Sequence, residues 1–393
     1  MYSRLSIMMF LQYAVMGAVM PIMGLYLKSG LGFSPVQVGV VLAMPAVGAL
    51  VAPVFAMRIA DRLLSAERTL AVSHFLCGVL MLVLSYQTDY RAVVAVYLAY
   101  ALAMAPTMGL TNAIAFHHLP NAGGDFGRVR VWGTVGWIAI AWVFAVLYVA
   151  PAAGAPPVGL SMALTVSAGA SFVLAAFAVR IPAAHDRPAA GTRLFHAAGL
   201  LLQRNILVLC IVTFLMAILN QFYMQWMGPY MSQIGFDDGA ILPVLSLGQV
   251  FEIAAIAYLG WFLGKAGMKW MLMLGMALQL VRFLVFALAP TTAAVLPAVC
   301  LHGVSFAFYG VTAYIYLDRL CTPAERAGVQ QLYGIASAGI GALLGSVLAG
   351  YTGQWLLAED GDINFRLFWL VPAAISAFAC AFLMLAFRPE ADD

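Results

Sequence analysis

Charged side chains are scarce in this sequence, and their scarcity decides its broad class. Only 9% of its 393 residues are Asp, Glu, Lys or Arg, whereas soluble globular proteins contain about 25%. Hydrophobic residues make up 64% of the chain and lie in long continuous runs. Such runs exclude a soluble protein and also the short alternating strands of a membrane β-barrel. The sequence therefore predicts an all-α membrane protein.

Cysteine pairs and enzyme signatures are also missing. The five cysteines show no paired spacing and lie mostly inside apolar runs, which argues against a disulfide framework or a metal site. The chain contains no HExxH, no GxSxG and no glycine-rich phosphate-binding loop. We therefore expect neither an enzyme nor a protein that needs a cofactor or a metal ion.

Twelve apolar segments are each long enough to cross a bilayer as a helix. The first is too long for the apolar core of a signal peptide, so we expect it to remain as a membrane span. Spans one to twelve are predicted at residues 5–27, 36–57, 69–88, 91–117, 126–149, 159–179, 205–231, 240–264, 268–289, 292–317, 326–354 and 364–387.

The longest polar connection divides these spans into two groups of six. We expect an N-terminal six-helix bundle at residues 1–180, a linker at 181–204 and a C-terminal six-helix bundle at 205–393. This layout resembles the major facilitator superfamily, in which parallel repeats place the substrate between the two halves. The resemblance implies twelve transmembrane helices in the major facilitator fold.

The distribution of positive charge predicts the orientation of the chain. Lys and Arg concentrate in alternate loops, and the loops on the opposite side hold only Lys28, Arg91 and Arg366. Positively charged loops remain in the cytoplasm. Both termini and the central linker are therefore predicted to be cytoplasmic.

Small residues recur at four-residue steps along span eleven, at Ser337, Gly341, Gly345 and Ala349. A stripe of this kind predicts that another helix approaches closely. It suits helices that rock against one another, and it suits a static scaffold equally well.

Span eight carries a carboxylate near its centre. Gln249 and Glu252 are three residues apart and therefore share one face of the helix. A carboxylate at that depth costs roughly 2.5 kcal/mol or more on insertion scales, and acids inside membrane spans are functional by default. We interpret Glu252 as a proton-binding group in a water-filled cavity. The alternative is a carboxylate that a neighbouring helix holds for packing alone.

Span five presents a second polar face. Arg130, Thr134 and Trp137 are spaced by four and three residues, so they lie on the same side of the helix. Arg130 can supply a fixed cation and hydrogen-bond donors to a ligand. The alternative is that Arg130 anchors the helix among cytoplasmic lipid headgroups.

Span seven is unusually polar for a helix in lipid, with Asn220, Gln221, Tyr223, Gln225 and Trp226. Amides and aromatic rings together suit a planar, uncharged ligand that forms hydrogen bonds. The same residues can instead hold neighbouring helices together.

Spans nine and ten add the remaining polar candidates. His302 and Phe306 lie four residues apart on one face of span ten. His302 is either hydrogen-bonded structure or, opposite Glu252, a partner that shares its proton. Arg282 in span nine either extends outward to the membrane surface or balances Glu252, and the sequence does not decide between these.

Several short stretches resemble the bacterial nucleoside:proton symporters of the major facilitator superfamily. The most specific are residues 106–112 (PTMGLTN) and 119–123 (LPNAG). The others are residues 10–13 (FLQY), 60–66 (ADRLLSA), 130–134 (RVWGT), 249–252 (QVFE) and 301–303 (LHG). The similarity extends over nearly the whole chain and is weaker in the second half.

This resemblance implies proton-driven uptake of nucleosides by alternating access, with Glu252 as the proton-coupling residue. The substrate-binding residues that it implies, together with those singled out above, are Arg130, Thr134, Trp137, Gln225, Gln249, Glu252, His302 and Phe306. The superfamily resemblance also implies that Asp61 and Arg62 form a gating latch at the cytoplasmic ends of the helices.

One position departs from the family pattern. The family usually has an aspartate directly after the aromatic residue of span ten, and here that position is Ala307. Proton coupling must therefore rely on Glu252 alone or proceed differently, and the substrate can differ too. A sugar or aromatic-acid permease, a drug-efflux antiporter and a membrane receptor without transport activity remain alternatives.

The expected partners follow from the same resemblance. They are a small-molecule substrate (a nucleoside), protons and the lipid bilayer of the bacterial inner membrane, which the chain crosses many times. We expect no nucleic-acid partner and a monomeric protein.

Overall fold

A computed structural model describes residues 1–55, 65–119, 122–149, 159–182, 203–322 and 326–388. In these ranges the chain is helical, without strands apart from an isolated bridge between Leu357 and Ile363. The predicted all-helical membrane fold is confirmed.

The first half of the described chain contains eight α-helices and one π-helical segment. They are α1 (Tyr2–Val19), α2 (Met23–Leu25), the π-helical segment Tyr26–Gly30, α3 (Pro35–Phe55), α4 (Ala66–Ser85), α5 (Tyr90–Met104), α6 (Thr107–His118), α7 (Ala122–Val149) and α8 (Met162–Ala178).

The second half contains seven α-helices and two further π-helical segments. They are α9 (Arg204–Gln233), α10 (Asp238–Leu288), α11 (Thr292–Ser305), the π-helical segment Phe306–Val311, α12 (Thr312–Leu320), α13 (Arg326–Gly334), the π-helical segment Ile335–Gly341, α14 (Ala342–Trp355) and α15 (Phe365–Ala386).

Each of the twelve predicted spans overlaps helix in the structure. Within the ranges given above, nine helices are long and apolar enough to cross a membrane, and Pro35–Val51 and Met162–Ala178 are shorter apolar helices. The 51-residue helix α10 covers both span eight and span nine. It is interrupted at Gly267, whose φ of 75° lies in the left-handed region that favours glycine. The predicted boundary between these two spans therefore falls at a real break in the helix.

The chain divides into two compact units. The first consists of Met1–Ala190 with the short pieces Met224–Pro229 and Asp237–Pro243. The second consists of Gly191–Tyr223, Tyr230–Phe236 and Val244–Asp393.

In the first unit, α1 packs closely against α7 and α8 because glycines and a serine lie at the contacts. A Cβ atom at Gly136 would overlap the backbone carbonyl of Phe10, and one at Gly17 would lie 3.0 Å from the Cα of Trp137. On the α8 side, the Ser167 hydroxyl donates a hydrogen bond of 2.8 Å to the carbonyl of Val15. The position of the polar face on α7 is thus fixed by direct backbone contact with α1.

In the second unit, the small-residue stripe of span eleven does allow the predicted close approach. A Cβ at Gly341 would lie 2.9 Å from the Cβ of Ala217 on α9, and one at Gly345 would lie 2.7 Å from the Cα of Ile218. The Ser346 hydroxyl donates to Oε1 of Gln221 across the same contact, at 3.2 Å. The prediction from the four-residue spacing is therefore confirmed at Gly341 and Gly345.

Replacing Gly136 with alanine tests the contact between α1 and α7. The added methyl group meets a backbone carbonyl, which cannot rotate away as a side chain can, so we expect Gly136→Ala to destabilise the protein by about 1–3 kcal/mol. Thermal unfolding of the purified protein in detergent measures this effect as a lower Tm.

The matched control is Gly169→Ala on the exposed side of α8, where a Cβ has no neighbour within 4 Å. Alanine favours helix over glycine by up to about 1 kcal/mol. The control should therefore keep or raise Tm, and equal losses in the two variants would contradict the packing described here.

Candidate functional site

The side chain of Arg130 on α7 packs against α1. Its guanidinium lies over the ring of Tyr13 on α1, 4.0 Å from the ring centroid, and the side chain is half-buried. Arg128, two residues earlier, is 83% exposed and lies 3.9 Å from Asp125. Arg128 is thus the more exposed of the two arginines, whereas Arg130 packs against the aromatic ring of Tyr13 in the first unit.

Thr134 and Trp137 lie on the same side of α7 as Arg130, as the spacing predicts. Both side chains are half-buried. The Trp137 ring meets α1 at Gly17, one helical turn from the Tyr13 ring that Arg130 covers. The three residues therefore form one partly accessible polar and aromatic face in the first unit.

Gln225 on α9 is buried with its amide unsatisfied. Only 1% of the residue is exposed, and neither its oxygen nor its nitrogen has a hydrogen-bond partner in the described structure. Gln221, one turn earlier, accepts a hydrogen bond from Ser346 and so does join helices together. A buried amide without partners costs about 1–3 kcal/mol. The presence of such an amide at position 225 therefore favours a ligand that forms hydrogen bonds with it.

In the second unit, Gln249 and Glu252 lie on the first part of α10, and both are half-buried. This part of α10 touches α11 at glycines. A Cβ at Gly303 would lie 2.7 Å from the Cβ of Glu252, and one at Gly248 would lie 3.3 Å from the carbonyl of Val299. Gly303 in the LHG stretch thus lets the helix that carries the carboxylate approach α11.

His302, beside Gly303, is held by residues from two other helices. Nη1 of Arg282 lies 2.5 Å from Nδ1 of the histidine, and the Tyr223 ring stacks on the imidazole with centroids 4.5 Å apart. His302 is 8% exposed. The histidine is therefore hydrogen-bonded structure on one side of its ring, as one of the two interpretations predicted.

The outward-extending alternative for Arg282 is wrong, because the residue is 0% exposed. The guanidinium instead contacts His302 and lies 4.3 Å from the centroid of Tyr223.

Phe306 and Ala307 differ sharply in their surroundings. Phe306 is 45% exposed, at the start of the π-helical segment. Ala307 is 0% exposed and packs in an apolar cluster with Ala255, Leu259 and Met271. An aspartate at position 307 would lie among these apolar side chains, which is consistent with alanine there.

The predicted latch residues Asp61 and Arg62 lie outside the described residues.

Sequence reasoning missed a buried polar network in the first unit. Gln12 accepts a hydrogen bond of 2.7 Å from Nε2 of His74 and donates one of 2.9 Å to Thr107. These side chains connect α1, α4 and α6, and all three residues are 0% exposed. Gln12 and Thr107 belong to the FLQY and PTMGLTN stretches, so the family resemblance already pointed to both residues. Their partner His74 on α4 could be identified only from the fold.

Gln225→Leu tests whether the buried amide serves binding rather than packing. Leucine has a similar volume without the unsatisfied polar atoms, so we expect a gain in stability of about 1–3 kcal/mol together with weaker substrate binding. Thermal unfolding with and without substrate measures both effects on the same sample.

The control Gln354→Leu makes the same change at an exposed position near the end of α14. It should leave both quantities near their original values. A loss of stability in Gln225→Leu would show that the amide is satisfied within the protein.

Comparisons with known proteins agree along the whole chain. The sequence model of a family described as nucleoside H⁺ symporter matches residues 1–392. The Escherichia coli (strain K12) protein YegT, named as a candidate nucleoside transporter, is 32% identical over 410 aligned positions, covering 100% of this chain and 94% of YegT. The xanthosine permease of the same strain is 28% identical and covers 99% of this chain and 96% of its own length.

A crystal structure of a point variant of the nucleoside transporter NupG has a similar fold. The TM-score is 0.87, with 98% of this chain and 100% of the other covered. The two sequences are 24% identical, so this likeness supports the fold alone.

Proposed function

The chain belongs to the nucleoside H⁺ symporter family, and we propose from that premise that it imports nucleosides with protons across the bacterial inner membrane by alternating access. It is a multi-pass, proton-coupled nucleoside transporter and not an enzyme. The family match over residues 1–392 carries this conclusion, because it includes every candidate residue of both units.

Two groups of residues are proposed to take part in nucleoside binding. The first is Arg130, Thr134, Trp137 and Gln225, and the second is Gln249, Glu252, His302 and Phe306. Both groups combine hydrogen-bonding groups with an aromatic ring. A nucleoside offers a flat base for stacking and several polar atoms on its base and ribose, so its chemistry matches these side chains.

Glu252 is proposed as the site of the coupling proton. It lies in an apolar helix, is half-buried, and is brought close to α11 by Gly303. A charged carboxylate is costly in a membrane span, and a bound proton removes that charge. Because position 307 is alanine and lies in an apolar cluster, that position offers no second acid to share the task.

The remaining features of the proposal concern topology and assembly. We propose halves at residues 1–180 and 205–393, joined by 181–204, with both termini in the cytoplasm on the strength of the Lys and Arg distribution. Asp61 and Arg62 are proposed to latch the cytoplasmic ends of the helices. The transporter is proposed to act as a monomer in the bilayer, without a nucleic-acid partner.

Uptake into proteoliposomes tests the function directly. The reconstituted protein is given radiolabelled uridine, adenosine or xanthosine, with an inward proton gradient and again after a protonophore has removed it. We expect concentrative uptake of at least one nucleoside that depends on the gradient. Uptake of a sugar or an aromatic acid instead of any nucleoside would overturn the proposal.

Glu252→Gln tests the coupling site, because glutamine keeps the shape of a protonated glutamate and cannot release a proton. We expect gradient-driven accumulation to fall to background while exchange of labelled for unlabelled nucleoside continues. Glu359→Gln, the same change at an exposed loop position, is the matched control and should transport normally. Full concentrative uptake by Glu252→Gln would assign the proton to another residue.

A further inference from the structure

Arg282 is a buried cation that the proposed transport site does not explain. It lies on the second part of α10 and is 0% exposed, and one of its nitrogens, Nη1, has a hydrogen-bond partner. Nε and Nη2 have no partner in the described structure. Burying a guanidinium costs several kcal/mol unless its interactions compensate.

The contact dictates how His302 is protonated. All nitrogens of a guanidinium are donors, so Nδ1 of His302 must be the acceptor in the 2.5 Å hydrogen bond. A neutral imidazole that accepts at Nδ1 carries its proton on Nε2. A second ring proton would replace this hydrogen bond with two opposing N–H groups beside a positive charge. The arrangement thus favours one tautomer of the neutral ring.

The orientation of the ring is fixed as well. The Tyr223 ring stacks on the imidazole at 4.5 Å, and Arg282 lies on the same tyrosine, 4.3 Å from its centroid. With Nδ1 occupied, Nε2–H is the polar group that the 8% exposed residue can offer to a ligand.

We propose that Arg282 is a positioning residue for substrate recognition. By occupying Nδ1, it holds His302 in the Nε2–H tautomer, and His302 then donates a hydrogen bond to an acceptor atom of the nucleoside base, a carbonyl oxygen or an unprotonated ring nitrogen. This inference rests on the proposed nucleoside transport. It also separates two roles, since a histidine held in this way does not carry the coupling proton, which stays with Glu252.

The tautomer can be observed without any transport. The full-length protein is labelled with ¹⁵N-histidine, and its spectrum in detergent micelles is compared with that of His302→Phe, which removes the His302 signals. We expect His302 of the unaltered protein to show the neutral Nε2–H form and Arg282→Met to show a mixture of the two neutral tautomers. A neutral Nδ1–H form or a doubly protonated ring in the unaltered protein would overturn the proposal.

The transport measurements distinguish positioning from simple packing. We expect Arg282→Met to raise KM for the transported nucleoside roughly 3- to 10-fold, the range expected for one lost neutral hydrogen bond. Arg282→Lys retains a donor for Nδ1 and should recover most of this loss. His302→Phe keeps the stacked ring but removes its nitrogens, so adding Arg282→Met to it should raise KM no further.

The outcomes separate this inference from the proposed function. If the unaltered protein transports no nucleoside, the proposed function fails, whereas the ¹⁵N spectrum still decides the tautomer. If it transports a nucleoside and Arg282→Met raises KM equally with and without His302→Phe, Arg282 is structural and the inference fails. If Arg282→Met does not fold, Arg282→Lys and the spectrum of the unaltered protein decide.

Discussion

Hydrocarbon offers no hydrogen bonds, so every polar side chain inside a span must find its partner within the protein or wait for a ligand. Several buried polar side chains have partners on other helices. Gln12 bonds to His74 and Thr107, and Gln221 bonds to Ser346. Against this background, the exceptions carry information. The buried polar atoms that lack a hydrogen-bond partner in the described structure include both amide atoms of Gln225 and two guanidinium nitrogens of Arg282, and each such atom costs free energy unless a ligand or water satisfies it.

Glycine connects this polar chemistry to helix packing. In the first unit, Gly136 and Gly17 allow α7 to lie against α1, and the same face of α7 carries Arg130 and Trp137. In the second unit, Gly303 plays the equivalent part for Glu252. Trp137 and Glu252 therefore lie directly at close helix contacts, and Arg130 lies six residues before Gly136. Movement of one helix relative to its neighbour would therefore displace these side chains directly, without an intervening layer of flexible side chains.

Hydropathy alone placed the helices well, because a bilayer imposes one length and one composition on each span. Residue spacing predicted which side of its helix carries Arg130 and which carries Glu252, because this depends only on helical geometry within one segment. The sequence did not predict which residues surround the side chain of Arg282. The partner of that residue, His302, lies on another helix twenty positions later, and both proposed outcomes assumed either the membrane surface or a carboxylate. The π-helical segments were likewise not predicted from the sequence.

The π-helical segment Phe306–Val311 changes the direction in which the following side chains point around the helix axis, compared with those before it. A π-turn holds about one residue more than an α-turn, which shifts the following residues by about 100° around the helix axis. His302 and Tyr309 are seven residues apart and would share one face of a regular α-helix. With the π-helical segment beginning between them, His302 stacks on Tyr223 and the hydroxyl of Tyr309 bonds to Thr213, ten residues earlier on α9. The wide turn thus allows two residues that an uninterrupted α-helix would align to contact separate parts of the same neighbouring helix.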